Sequence, residues 1–370
     1  MTPERPRGED AIPNVTPSVE PSAPQKDIPV QLYAALDLGT NSCRMLVARP
    51  RGSQFDVVDS FSKTVQLGAG LEASGRLSRA SMSRTIQALR VCHKKIEKHG
   101  VTRMRLVATE ACRRAKNARE FIRQVRRETG LSLEIIQPEE EARLAVISCA
   151  PLVSARTEQL LVVDIGGGST ELVWIDLSAV APEHRARAIM RLHRGFHGED
   201  GARVVDWISV PLGVATLKDQ FVDVEDDGAR FALMSWFFEE NLASFSPYNA
   251  QNPREGFQII GTSGTVTTVA ASFLNLKRYD RAKVDGLEMT SDQIDFVIRD
   301  YLSLGPEGRR TDPRIGRDRH SLIMSGAAIL QALMRIWPTD RLSVADRGLR
   351  EGLLYAQMSA DGVLAEGPYA

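Results

Sequence analysis

Residues 160–176 read LLVVDIGGGSTELVWID. The segment begins as an apolar, β-branched run and places Asp164 where that run ends. It turns through Gly166, Gly167 and Gly168, passes Ser169 and a second carboxylate, Glu171, and returns to an apolar run, Leu172–Ile175. Strand, polar tight turn, strand is the simplest reading. Glycines let a backbone approach an anion closely and turn its N–H groups toward it. Flanking carboxylates suit a hard divalent cation such as Mg²⁺. A hairpin for phosphate and metal is one reading; a glycine-rich hairpin with solvated carboxylates is the other.

Residues 31–48, QLYAALDLGTNSCRMLVA, have the same form. A constant offset of 127 residues (37 to 164), without a gap, lays Asp37 on Asp164, Gly39 on Gly166, Ser42 on Ser169 and Met45–Val47 on Leu172–Trp174. Two such hairpins in register point to a duplicated domain that binds its ligand between the halves.

The rest of the chain fits an α/β protein. Strands at 54–67, 104–109 and 131–137 alternate with amphipathic helices at 81–98 and 118–129, the latter capped by Asn117, and a glycine-rich loop covers 68–77. Strands at 207–211 and 342–345 and helices at 231–245, 291–302, 321–336 and 346–356 follow. A third glycine element, IIGTSGTVT (259–267), runs from a strand into a helix near Thr265 and reads either as an anion site or as a tight turn with threonine caps.

Pro138 heads a helix to Cys149 whose first turn is Glu139-Glu140-Glu141. Acidic residues there complement the helix dipole. Glu139 is placed to pair with Arg143 one turn on. Glu140 and Glu141 both remain candidates for a desolvated general base. The charged stretch 178–206 reads as a surface insertion. It holds His193 and His197 near Glu199 and Asp200, but Gly195 and Gly198 interrupt any helix that would align the histidines on a metal.

Composition narrows the function classes. The chain has 370 residues, enough for two domains, with 47 basic and 47 acidic side chains, so net charge offers no argument for DNA or a membrane surface. No apolar run approaches the ~20 residues of a membrane span. Cys43, Cys92, Cys112 and Cys149 are widely spaced, which fits small core residues in a reduced, cytoplasmic protein. Residues 1–29 hold seven of the eighteen prolines and read as a disordered tail.

The chain resembles the exopolyphosphatase/guanosine pentaphosphate phosphatase (Ppx/GppA) family in its short two-domain form. The resemblance is carried by ALDLGTNSCRMLVA (35–48), ATEACRRAKN (108–117), IQPEEEARLA (136–145), VVDIGGGSTELVW (162–174), IIGTSGTVT (259–267), SGAAIL (325–330) and VADRGLREGLLY (344–355). It implies an α/β fold of two ribonuclease-H-like domains of the actin/Hsp70/sugar-kinase superfamily facing a central cleft. The division expected is 30–150 and 151–370, with a final helix near 347–358 packing back on the first domain. The implied activity is hydrolysis of a terminal phosphoanhydride of inorganic polyphosphate or guanosine pentaphosphate, with Mg²⁺, K⁺ as an activator, and a homodimeric protein.

By position, Glu141 matches the family's catalytic glutamate, which takes a proton from the attacking water or orients it. Asp164 and Glu171 match the acids around metal and water, with Asp37 facing Asp164 across the cleft as a further metal ligand. Gly166, Gly167, Gly168 and Ser169 would bind phosphate, as would Asn41 and Ser42 from the other half. Arg113 matches the phosphate-binding arginine, whose fork suits phosphate oxygens and developing charge. Cys112 stands where the family commonly has leucine, and His320-Ser321 where an acid is often found. The basic run from Arg103 to Arg127 reads as a solvated helix face, with a polyphosphate track as the alternative. Two other functions fit the same fold: an ATP-dependent kinase or ATPase, and a non-catalytic polyphosphate or alarmone sensor.

Overall fold

A computed structural model describes residues 31–196, 201–249, 256–316 and 319–364. The first half begins with an antiparallel meander, β1 (Tyr33–Leu38), β2 (Ser42–Arg51) and β3 (Gln54–Thr64). It continues through α1 (Leu71–Ser74), α2 (Arg79–Lys98), β4 (Arg103–Ala108), α3 (Glu110–Arg114), α4 (Ala118–Thr129) and β5 (Glu134–Ile135). β4 pairs parallel to β1 and β5 parallel to β4, giving the order β3-β2-β1-β4-β5.

The second half repeats this plan. After α5 (Pro138–Cys149) come β6 (Gln159–Ile165), β7 (Thr170–Asp176), α6 (Arg185–Arg191), β8 (Arg203–Val210), α7 (Val214–Gln220), α8 (Asp227–Glu240), β9 (Phe257–Thr262) and α9 (Gly264–Phe273). α10 (Arg281–Val284), β10 (Glu288–Met289), α11 (Ser291–Thr311), α12 (Ile323–Ile336), β11 (Leu342–Ala345) and α13 (Leu349–Ala360) complete it. The order β8-β7-β6-β9-β11, with β10 added at the edge, has the same two antiparallel and two parallel pairings as the first sheet.

Side-chain chemistry sets the helix ends. Ser78 caps α2 by accepting from the Ser81 amide at 3.1 Å, and Thr290 and Gln293 form a reciprocal box at the start of α11. Asn117 does not cap α4. Its amide group instead accepts from Leu77 N at 2.8 Å and donates to Leu77 O at 3.0 Å, fastening the 68–77 loop, which itself contains the single turn α1.

α5 and α13 connect the halves. Ala142, Val146 and Cys149 on one face of α5 pack with Val162, Val173 and Ile175 of the second sheet. Leu144 and Ile147 on its other face join Tyr33, Ala35 and the α13 residues Leu349 and Leu353. The boundary expected at 150 therefore passes behind a helix that lies on the second sheet, while α13 lies against β1. The two helices touch through their backbones: a Cβ on Gly352 would stand 2.1 Å from the Leu144 carbonyl oxygen. Only glycine fits that crossing.

The stretch expected as a surface insertion is partly core. Val180, Ala188, Ile189 and Leu192 bury against α5 and β7, and β8 starts at Arg203, ahead of the strand expected at 207. Its alternating charges masked apolar residues at helical spacing. Among the described residues no helix is long and apolar enough to cross a membrane.

Candidate active site

Asp37 and Asp164 end the central strands of their sheets, β1 and β6. Each following turn is closed by the same hydrogen bond, Gly39 N to Ser42 O and Gly166 N to Ser169 O, both 2.9 Å. The turn carbonyls are tied back into the body. Thr40 O accepts from Gly68 N, Gly166 O from Val214 N and Gly167 O from Ala215 N. The three glycines are needed partly for packing: a Cβ on Gly168 would meet Thr40 Oγ1 of the other turn at 2.3 Å.

The turns border a cleft whose lining includes Asp37, Asn41, Ser42, Glu141, Asp164 and Gly166–Ser169. Glu171, 2% exposed, sits in β7 opposite Asp164 and accepts from Ser209 Oγ at 2.7 Å. Glu140 and Glu141 diverge. Glu140 pairs with Arg105 at 2.7 Å and with Arg143 at 3.5 Å, taking the partner expected for Glu139. Glu141, 8% exposed, faces the cleft.

Arg113 is not among the cleft-lining residues. Its NH1 donates to Glu141 Oε2 at 2.6 Å and to Ile136 O at 3.0 Å, and its Nε and NH2 donate to Glu110 Oε2 at 3.0 and 2.9 Å. Two buried carboxylates that line the cleft, Glu110 and Glu141, hold the guanidinium. The other members of the basic run also stay out of the cleft: Arg103 pairs with Asp361, Arg105 with Glu134 and Arg114 with Glu72.

Sequence reasoning missed Arg44, Glu110, Arg319, Arg350 and Glu351. Arg44, Glu110, Arg319 and Arg350 line the cleft, and Glu351 is a buried neighbour that bonds Gly348 N at 2.9 Å. Arg44 was legible, because the 127-residue offset lays it on Glu171 and it stands opposite Asp37 in the ladder. The third glycine element is a tight turn that lines the same cleft, with a cap other than threonine. Ser263, at φ 147°, accepts from the Thr265 and Val266 amides with its own hydroxyl, and Arg319 donates to Gly264 O at 2.9 Å.

The acids outweigh the cations that face them. Burial, then Glu141 and Asp37, push Asp164 up to about 8. Burial and Asp164 push Glu171 up to about 7, against hydrogen bonds from Ser209 and Ser169. Burial and Glu171 raise Glu141 well above the usual carboxylate range despite Arg113. Burial also raises Asp37, with Arg44 and Arg350 opposing it.

Such a set suits a divalent cation. Among the described residues no three acidic, histidine or cysteine side chains form a ready-made cage. Mg²⁺ seldom needs one, since it keeps several waters and takes one or two carboxylates together with substrate phosphate. His193 is elsewhere, its Nδ1 3.1 Å from Met190 O, and His197, Glu199 and Asp200 lie outside the described residues.

A model of the Ppx/GppA phosphatase family matches residues 46–361. The chain belongs to that family. A guanosine-5'-triphosphate,3'-diphosphate pyrophosphatase of Aeromonas hydrophila is 32% identical over 325 residues, 88% of this chain and 59% of the relative. The chain thus spans less than two thirds of that relative's length. The solved structure of the Aquifex aeolicus Ppx/GppA member is similar at 30% identity and TM-score 0.71, over 90% of this chain and 99% of that one. An exopolyphosphatase from Cytophaga hutchinsonii shares the fold at TM-score 0.75 and 21% identity, over 90% and 99% of the two chains. The repeated sheet is therefore the ribonuclease-H-like unit of the actin-like superfamily, present twice.

Proposed function

We propose that the cleft hydrolyses the terminal phosphoanhydride of a polyanionic phosphate substrate, either inorganic polyphosphate or guanosine pentaphosphate. The observation that carries this reading is the convergence of Glu141, Asp164 and Asp37 on the two phosphate-type turns, with Glu171 behind them. Glu141 takes a proton from water, the water oxygen bonds to the terminal phosphorus, and the bond to the bridging oxygen breaks. The shortened phosphate chain leaves with its electron pair. Asn41, Ser42 and Gly166–Ser169 hold the terminal phosphoryl group, and Arg44 offers a cation to its oxygens. Asp164 and Glu171, with Asp37 opposite, would hold Mg²⁺, which supplies charge neutralisation for the phosphoryl oxygens. The name of the Aeromonas hydrophila relative, a guanosine-5'-triphosphate,3'-diphosphate pyrophosphatase, fits this chemistry.

The test is phosphate release from long-chain polyphosphate and from guanosine pentaphosphate, side by side, in Mg²⁺, in EDTA, and with and without K⁺. Release from at least one substrate that stops in EDTA is expected. Tight binding of both without release would make the protein a sensor, and transfer from ATP to an acceptor would make it a kinase.

A further inference from the structure

Glu110 has no part in the reaction as written, yet it closes a buried chain of charges that ends on Glu141. Its carboxylate oxygen Oε2 receives both the Nε and NH2 edges of Arg113, while Arg113 NH1 reaches Glu141 through Oε2 alone. The side chains of Arg113, Glu110 and Glu141 are 10%, 12% and 11% exposed, so water competes weakly for any of these bonds. Single-oxygen contact with Arg113 leaves Glu141 Oε1 to accept from the attacking water. Without Glu110 the guanidinium would present two orphaned donors in a desolvated place, and the nearest acid to satisfy them is Glu141 itself. A fork-to-fork pair would then cover both oxygens of the base.

Glu110 is also placed to couple this chain to the opposite half. A Cβ on Gly168 would lie 3.0 Å from Glu110 Cγ, so the second glycine turn packs over the stem of Glu110. A second cation also stands beside it, with Arg114 Nε 3.9 Å from Glu110 Oε1.

We propose that Glu110 is a positioning residue: with Arg113 it forms a carboxylate–guanidinium–carboxylate chain that keeps one oxygen of Glu141 open for water. The inference rests on the reading of Glu141 as the base. It gives Arg113 a part in orienting the base.

The experiment compares steady-state phosphate release by Glu110→Ala, Glu110→Asp, Arg113→Lys and the Glu110→Ala/Arg113→Lys double variant, with Glu141→Gln alongside. Misorientation of a reacting group costs up to ~100-fold. Glu110→Ala should lower kcat by ~10- to 100-fold with KM within about two-fold, because the substrate contacts remain. Glu110→Asp keeps the charge but withdraws the carboxylate, and should fall between wild type and Ala; it carries the test if the Ala variant does not fold. The double variant should lose no more kcat than the worse single variant, because both changes break one chain. Additive losses, a change confined to KM, or wild-type kcat in both Glu110 variants would overturn the inference. If Glu141→Gln is inactive while the Glu110 variants turn over normally, the positioning role alone falls. If Glu141→Gln is fully active, the reading of the base falls and takes this inference with it.

Discussion

The hairpins β1–β2 and β6–β7 share their register and a closing glycine–serine hydrogen bond, yet opposite the strand-end aspartate one carries Arg44 and the other Glu171. At the first hairpin Asp37 has a cation opposite it, and Arg44 and Arg350 counter the effect of burial. At the second, two acids face each other and burial drives both upward, Asp164 to about 8 and Glu171 to about 7. The scaffold thus delivers the same backbone twice, and one side chain per copy sets its electrostatic character. The partly offset hairpin is suited to the phosphate end of the substrate, with Asp37 still open to metal, and the more acidic one to metal and water.

The largest effect expected from this asymmetry is at the aspartates. Asp164→Asn should lower kcat by roughly 10³-fold, the scale of losing a metal-assisted charge stabilisation. Asp37→Asn, whose charge Arg44 and Arg350 partly offset, should cost only about 10-fold. Equal losses in the two variants, measured as phosphate release at saturating Mg²⁺, would break the comparison. Next comes Arg44. Removing a charge-assisted hydrogen bond to phosphate costs ~1.5–3 kcal/mol, so Arg44→Ala should raise KM by roughly 10- to 100-fold while changing kcat less. A drop in kcat at unchanged KM would move Arg44 from substrate binding to the chemistry.

The turns offer a smaller and purely structural contrast. A Cβ on Gly166 would sit 2.8 Å from the Ser169 carbonyl oxygen, whereas one on Gly39 meets nothing nearer than Ser42 O at 3.6 Å. Gly166→Ala should therefore destabilise the protein by ~1–3 kcal/mol, the usual range for overpacking. Gly39→Ala should leave the thermal midpoint within a degree or two. Matching losses would mean that the first turn is as crowded as the second.

Much of this site was legible in the sequence, for identifiable reasons. The duplicated hairpin could be read because strands alternate and end on charged residues without gaps, so a constant offset survived in the text. The same offset placed Arg44 on Glu171, a difference visible in the sequence but overshadowed by the matching aspartates. The ion pair between Arg113 and Glu110, three residues earlier, was not legible, because a motif records which residue is present and not which acid holds it. The return of the last helix to the first half was expected, but the seat of α5 on the second sheet was beyond local reading, since it depends on a backbone crossing at Gly352 against Leu144, far apart in the chain. Glu140 and Glu141 could not be separated by helical spacing, and only the position of Arg105 decided which became a surface pair.

We propose that this two-sided cleft activates water with Glu141. It is tested most directly by Glu141→Gln, a nearly isosteric change, followed by phosphate release and by calorimetric binding of the substrate that wild type turns over. A loss of ~10²–10⁴ in kcat is expected, with binding affinity retained within a few-fold. Phosphate release by Glu141→Gln at the wild-type rate would contradict it.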